Sequence, residues 1–379
     1  MSDRVTRGSA LGGLVRDLLQ AAFRLVPWPT EPGLRRVGDP NQLSPVIVTC
    51  NYDLTVRRVL RALRGLDAWL VVAPSRGINV WCASSGGHLS THQVVTALKT
   101  SGVEECVQHR RAILPQLAAT GVVAREVNRR RGWRTRFGPV YAEDIPRYLA
   151  NDGEKSDDMR RVRFGPVERL EMACAWAVPV AILTGLLAAW LEPGWALPLV
   201  ALVAILALAV FFVYDRIPGP RRWILGGAAM AASAAAVALA GGGAAALVGA
   251  AGASALLTGL LTFDYSGSTP TEGGSHFAER RWQIRLDPER CKGLYSCWEV
   301  CPRACFEKRP DARMVEQSHH ERCVHCGACV VQCSLDALAF EDEEGRRIEP
   351  GIIRRFKLNL SGQRAVDAGE LPDADDRDA

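Results

Sequence analysis

With 379 residues the chain has length for two or three domains and for a sizeable buried core. Its 46 Lys and Arg against 41 Asp and Glu leave a formal net charge of +5, but the charge is zoned. Residues 1–169 carry 26 basic and 16 acidic side chains, residues 170–263 three of each, and residues 264–379 carry 17 against 22. A central stretch nearly free of charge excludes a simple soluble enzyme, and 48% hydrophobic content excludes a disordered chain.

Residues 1–37 form an amphipathic N-terminal segment. Leu11, Leu14, Val15, Leu18, Leu19, Ala22 and Phe23 recur on one helical face, suited to a membrane surface or to a neighbouring domain. Arg16, Asp17 and Arg24 interrupt the apolar run, so it does not read as a signal peptide. The basic excess comes with no zinc-finger or helix-turn-helix pattern, and nucleic acid is not an expected partner.

Residues 38–165 read as an α/β domain of Rossmann-like character. Residues 45–50 (PVIVTC) form a buried strand bounded by Pro45 and Asn51, followed by a helix that Asp53 or Thr55 would cap. Trp69–Ala73 is a second strand and Asn79–Cys82 a third short apolar segment. Ser84–Ser90 reads as a loop, Thr91 begins a helix, and Ile113–Leu117 and Val122–Val127 continue the alternation. No G-x-G-x-x-G follows the first strand, which argues against a dinucleotide. Taken alone, Cys82 reads as a small buried hydrophobe.

Residues 170–263 read as an α-helical transmembrane domain of about four spans. Residues 172–191 and 195–214 are uncharged, and the 41 uncharged residues 223–263 suit two further spans joined at Gly241–Gly243. Positive charge alternates across the loops, with Arg160, Arg161, Arg163 and Arg169 before the first span. Arg216, Arg221 and Arg222 lie in the second loop, and Arg280 and Arg281 follow the last span. That places both flanking domains in the cytoplasm of a cell (inner) membrane protein. An anchor, rather than an ion path, is expected, since no ionisable residue lies deep in a span.

Residues 264–286 form a linker, 287–345 an α+β, two-cluster ferredoxin-like domain, and 346–379 a tail. Cys323-x2-Cys326-x2-Cys329-x3-Cys333 matches the bacterial iron–sulfur run, in which the fourth cysteine ligates the other cluster. Cys291, Cys297 and Cys301, followed by Pro302, fit positions one, three and four of the same pattern, with Leu294 at position two. Crossed ligation then assigns Cys323, Cys326, Cys329 and Cys301 to a complete 4Fe–4S cluster. Cys291, Cys297 and Cys333 remain for a second iron–sulfur cluster, either a 3Fe–4S centre or a 4Fe–4S cluster with Cys305 as fourth ligand. His319, His320 and His325 read as exposed loop residues.

Ile78-Asn79-Val80-Trp81-Cys82-Ala83, read as the end of a strand opening toward a capped helix, resembles the N-V-W-C-A signature of the mercury-methylating corrinoid proteins (HgcA). The C-terminal cysteines resemble the family's ferredoxin partner (HgcB). Ser44–Thr55 and Arg111–Gly121 also look like that corrinoid domain, a type found in the corrinoid iron–sulfur protein of acetyl-CoA synthesis. The resemblance runs from about Gly38 to Glu349, in the manner of an HgcA–HgcB fusion. It implies a methyltransferase in which Cys82 is the lower axial ligand of a corrinoid (cobalamin-type) cobalt. Asn79, Val80, Trp81, Ala83, Thr49 and Asn51 lie around that cofactor, with Asn79 and Trp81 as cap and corrin-packing residues. A soft thiolate favours release of the methyl group to an electrophile such as Hg(II), and the clusters re-reduce the cobalt. Implied partners are the membrane, a methyl-donor protein or methylfolate, Hg(II) and an external electron donor.

The chain departs from the family at three places. Ser84, Ser85 and Gly86 follow Ala83 where the family continues A-G-K, Leu294 replaces a cysteine, and the tail Pro372–Ala379 lacks a cysteine pair. Two further readings therefore stand beside mercury methylation. One is corrinoid methyl transfer to another acceptor in one-carbon metabolism; the other is a membrane-bound iron–sulfur electron-transfer protein without corrinoid.

Overall fold

The structure, a computed structural model, describes residues 10–24, 26–217, 223–268 and 282–356. The expected tail at Pro372–Ala379, most of the linker and Arg221, Arg222, Arg280 and Arg281 lie outside the described residues. The chain divides into two compact units. One joins the α/β segment to the C-terminal cysteine-rich segment; the other joins the N-terminal helix to the central helices.

Helix α1 (Ala10–Ala22) belongs to the helical unit. The α/β segment follows with β1 (Gly33–Val37), β2 (Val46–Cys50), α2 (Asp53–Ala62), β3 (Ala68–Ala73), α3 (Val80–Ser85), α4 (Thr91–Thr100) and α5 (Val103–Cys106). It continues with β4 (Arg111–Leu114), a 3-10 turn at Gln116–Thr120, α6 (Ala124–Arg131), β5 (Arg134–Phe137) and α7 (Ile145–Ala150). The sheet order is β1-β3-β2-β4-β5. The last four run parallel, and β1 pairs antiparallel with β3 at the edge. Strand order reverses at β2, between β3 and β4. In open α/β sheets ligands bind outside the carboxyl ends of the strands at such a point.

Strands β2 and β3 are buried along their whole length, as expected for apolar runs covered on both faces. Their side chains alternate between two cores. Val46, Val48 and Cys50 join Val71, Ala73, Trp81, Ala83 and Val94 on one face, while Ile47 joins Leu70, Val72, Val56 and Ile145 on the other.

Several sequence expectations are corrected. Asn79–Cys82 is not a strand: Asn79 caps α3, and residues 80–85 are helical. Helix α2 has Tyr52 at its N-cap without a side-chain cap, and Asp53 in its first turn pairs with Arg57 at 2.9 Å. The strand placed at Ile113–Leu117 is Arg111–Leu114, and Val122–Val127 leads into α6.

The helical unit contains α8 (Pro166–Leu191), α9 (Ala196–Val213), α10 (Trp223–Leu239) and α11 (Ala244–Ser268). By length and composition three stretches, Pro166–Leu191, Pro193–Arg216 and Ala244–Tyr265, can cross a membrane. The fourth expected span, α10, is apolar but only 17 residues long. Small residues occupy much of α10 and α11, and Gly241–Gly243 lies at the turn between them. Arg24 bonds Glu171 at 3.1 Å, tying the residues after α1 to α8, while Val15, Leu18 and Leu19 stay exposed. Arg169 donates to both carboxylate oxygens of Asp215 and to Phe211 O at 2.8 Å. The fully buried Tyr265 ring packs against Phe164, Phe211 and Tyr214.

The cysteine-rich segment has β6 (Gln283–Leu286), α12 (Ser296–Val300), β7 (Glu307–Arg309), β8 (Met314–Glu316) and α13 (Ala328–Gln332). It ends with β9 (Leu338–Glu341), β10 (Arg347–Ile348) and α14 (Pro350–Phe356). Strands β6, β9 and β10 form an antiparallel sheet with β9 central, and β7 pairs with β8.

Candidate thiol centres and the Cys82 helix

Cys82 sits in the first turn of α3, beyond the carboxyl end of β3. The Asn79 side-chain oxygen accepts from Cys82 N at 3.0 Å, and its amide donates to Cys82 Sγ at 3.4 Å. The remainder of the signature faces inward: Val80, Trp81 and Ala83 are buried, whereas Cys82 is half-buried. The expected corrin-packing residue Trp81 is thus a core residue holding the helix, while the half-buried Cys82 packs against the edge of that core.

The loop that delivers α3 is pinned by Asn51. Its side-chain oxygen accepts from Ser75 N (2.8 Å), Ser75 Oγ (2.9 Å) and Gly77 N (2.9 Å), and its amide donates to Thr30 O at 3.0 Å. Gly77 has φ +70°, and a Cβ there would meet Pro29 N at 2.5 Å, so glycine is required. Asn51 therefore acts as a positioning residue, its amide being spent on the protein rather than left for a cofactor. Thr49 alternates onto the face of Ile47, opposite to the face carrying α3, which removes it from the neighbourhood of Cys82. Asn51→Ala is expected to cost on the order of 3 kcal/mol, because several buried donors lose their acceptor together. A lowered unfolding midpoint in detergent, with faster hydrogen exchange at residues 75–82, is the measurement.

The eight C-terminal cysteines surround two cavities. Cys301, Cys305, Cys323, Cys326 and Cys329 line one, beside Pro302, Val324, Gly327 and Ala328. Cys291, Cys297 and Cys333 line the other, together with Leu294, Tyr295, Ser296 and Ser334. Each encloses about 350 Å³ of atom-free space, part of it open to solvent. The expected grouping of Cys301 with Cys323, Cys326 and Cys329 is thus brought together in space. Cys305, considered as a ligand for the Leu294 side, stands in the other cavity, where Cys305 N donates to Cys301 Sγ at 3.3 Å.

Among the described residues no three Cys, His, Asp or Glu side chains converge as they would on a single ion. The thiols line spaces, and cysteines at the C-x2-C-x2-C-x3-C spacing suit an iron–sulfur cluster. Burial pushes the Cys297 thiol up to about 12 and those of Cys326 and Cys329 well above their ordinary value, with neighbouring thiolates adding to the rise. Cys301 is pulled down to about 7, chiefly by a hydrogen bond from the Cys305 thiol. Thiols crowded and buried in this way would ionise only against compensating positive charge, which coordinated iron would supply. The donor set fits iron–sulfur clusters. Backbone N–H groups also reach the sulfurs, from His325 to Cys323 (3.4 Å) and from Ala337 to Cys333 (3.3 Å).

His319, His320 and His325 line neither cavity. His325 is not the exposed loop residue expected; it is half-buried, which lowers its pKa, and its ring lies 6.5 Å from that of Phe340.

The two segments of this unit share a core. Val300, Val324, Cys326 and Ala328 pack into the same cluster as Trp81, Ala83, Ala118 and Ala119, while Val123 enters the core of the cysteine-rich segment. Gln332, beside Cys333, donates to Ala119 O and Val122 O at 2.7 Å each and accepts from Ala124 N at 3.3 Å. Lys155 Nζ bonds Gln116 Oε1 (2.9 Å), Gly138 O (3.2 Å) and Glu299 O (2.9 Å), and burial lowers its pKa to about 8. Arg160 lies over the Trp298 ring at 4.1 Å. Gln116 and Gly138 follow β4 and β5, so the contact is made at the carboxyl end of the sheet, the end that carries Cys82. Single-residue reasoning missed Gln332, Lys155 and Arg160; the neighbourhood of Gln332 to a ligand position was the one available signal. Lys155→Ala is expected to cost about 3 kcal/mol by stranding three buried acceptors, read as a lower unfolding midpoint and faster exchange in α12.

Residues 23–149 match the family model described as CO dehydrogenase/acetyl-CoA synthase delta subunit. The acetyl-CoA decarbonylase/synthase complex subunit gamma of Methanopyrus kandleri is 33% identical over 129 residues, 34% of this chain and 28% of that protein. The corresponding subunit of Methanothermobacter thermautotrophicus is 36% identical over 125 residues, 32% and 27% of the two chains. The chain thus spans under three tenths of the length of these curated relatives. The match supports the expected resemblance of that segment to the corrinoid protein of acetyl-CoA synthesis.

Proposed function

We propose that the chain is a membrane-anchored, corrinoid-dependent methyl carrier with its own ferredoxin-like module, of the mercury-methylation type and fused in the HgcA–HgcB manner. The observation that carries this reading is the half-exposed Cys82 sulfur at the carboxyl end of a parallel sheet, on a helix whose core continues into the five-thiol cavity. When bound, the corrinoid cobalt accepts and releases a methyl group, and the clusters supply low-potential electrons.

In this reading Cys82 would hold the corrinoid cobalt by a soft thiolate. Asn79 holds that sulfur by its amide and fixes the first turn of α3 by its oxygen. Trp81 and Ala83 keep the helix seated, and Asn51 fixes the loop before it. Cys301, Cys323, Cys326 and Cys329 hold the complete 4Fe–4S cluster; Cys291, Cys297 and Cys333 hold the second. The methyl donor is a protein or a methylfolate, an external donor supplies electrons, and Hg(II) is a soft acceptor matched to a thiolate-supported methyl group.

The visible spectrum and cobalt content of anaerobically purified protein test the reading. Iron–sulfur absorbance without cobalt overturns it in favour of an electron-transfer protein. Methylmercury formation from Hg(II), with Cys82→Ala as control, tests the acceptor. The similarity to acetyl-CoA decarbonylase/synthase subunits favours a second reading, transfer to a one-carbon acceptor, and cobalt-containing protein inactive on Hg(II) would support it.

The membrane reading rests on the apolar side chains left outward on the central helices, among them Leu183, Leu186, Trp190, Leu197 and Ile205. Because residues on both sides of these helices share one core, both belong on the same side of a bilayer. An even number of crossings follows, four if α10 crosses at the lower limit of spanning length. The free thiols suit a reducing compartment, which supports a cytoplasmic face for that side. Reporter fusions at Gly194 and at Gly242 are both expected to read as external; a cytoplasmic signal at Gly242 would refute four crossings.

A further inference from the structure

The cavity lined by Cys291, Cys297 and Cys333 has three thiols, and Leu294, which is 58% exposed, is also part of its lining. Cys305 stands in the other cavity, in hydrogen-bonding range of Cys301 and Cys323. No His, Asp or Glu lines the three-thiol cavity; its oxygen-bearing side chains are Tyr295, Ser296 and Ser334. We propose that this site holds a three-iron centre whose open corner faces solvent at Leu294 and takes up and releases a fourth, ferrous iron. The inference rests on the iron–sulfur reading above and goes beyond it by assigning an exchangeable metal position.

Uptake balances as one ferrous ion plus one electron from a low-potential donor. The incoming iron bonds to three sulfides of the centre, no bond breaks, and the electron reduces one ferric iron. Release is the reverse, with loss of that electron to an oxidant. The three thiolates hold the other irons throughout, and the Leu294 side leaves the corner without a protein ligand.

The test uses electron paramagnetic resonance and iron and sulfide analysis on the full chain in detergent. Wild type treated with a mild oxidant should show a three-iron signal that dithionite alone silences without changing the iron content, whereas ferrous ion with dithionite also raises the bound iron by one per chain, and renewed oxidation releases it. Leu294→Cys, which re-creates the C-x2-C-x2-C-x3-C spacing at an exposed position, should lack the signal and carry one more iron per chain. Leu294→Ala should keep the signal, and Cys305→Ala should leave it unchanged. A wild-type protein with sulfide, no three-iron signal and the iron content of Leu294→Cys overturns the open corner alone. The appearance of the signal only in Cys305→Ala would overturn it too, showing that Cys305 supplies the ligand. Protein without acid-labile sulfide overturns this inference and the proposed function together, and so is distinguishable from either.

Discussion

Replacing Cys82 with Ala is expected to cut methyl transfer by more than about 100-fold while leaving the fold intact. Loss of a residue that only orients a metal ligand commonly costs 10–100-fold, and in the proposed function Cys82 is itself the ligand. The fold survives because the contacts that seat α3 are made chiefly by its neighbours, the half-buried thiol packing only at the edge of the core. Asn79 caps the backbone N–H of residue 82, and Val80, Trp81 and Ala83 supply the packing. Cys82 is half-buried, so truncation opens no enclosed cavity, and the stability change should stay within about 1 kcal/mol. The visible spectrum of the cobalt-loaded variant is the second readout. An unaltered spectrum would show that the sulfur does not reach the metal.

Cys326→Ala is expected to have the other large effect, with a different signature. Cys326 lines the five-thiol cavity and also belongs to the core it shares with Trp81 and Ala118. Its loss should remove the complete cluster, with iron and sulfide content falling together. A first methyl transfer should survive, since Cys82 is untouched. In the proposed function, sustained turnover with a low-potential reductant should fall at least about 10-fold, because one of the two proposed clusters is lost. Truncation of a buried side chain adds a cost on the order of 1 kcal/mol, and loss of the metal's contribution to folding adds more. A variant that kept its cluster but lost the first transfer would contradict this division of labour.

Much of this architecture is legible along the chain, for reasons that differ from element to element. The run Val46–Cys50 between Pro45 and Asn51 announces a strand covered on both faces, and it is buried throughout. The progression from Cys323 to Cys333 specifies its own neighbourhood because the spacing itself draws three thiols around one space. Strand β1 gave no such signal. Arg35 and Arg36 break any alternation, and the strand exists only through pairing with β3 more than thirty residues on. Helix α3 misleads in the opposite way, since Ile78, Val80 and Trp81 favour strands, while capping by Asn79 and burial against the sheet favour the helix. The face of Thr49 was readable from simple alternation with Val48 and Cys50. Asn51 was not, because its partners Thr30 and Gly77 lie 21 and 26 residues away. Lys155 and Gln332 meet acceptors more than a hundred residues distant, and no local pattern encodes that.

The seam between Gln332 and the backbone of Ala119 and Val122 has a consequence for biosynthesis. The ribosome completes residues 27–162 well before it reaches α13, with all the central helices still to be made. At roughly 5–20 residues per second that interval is on the order of ten seconds. During it, the nascent chain holds Ala118, Ala119 and Val123 without the neighbours that later cover them. Messages truncated after the central helices should therefore yield a sticky, protease-sensitive product, and supplying the missing cysteine-rich part as a separate polypeptide should rescue it.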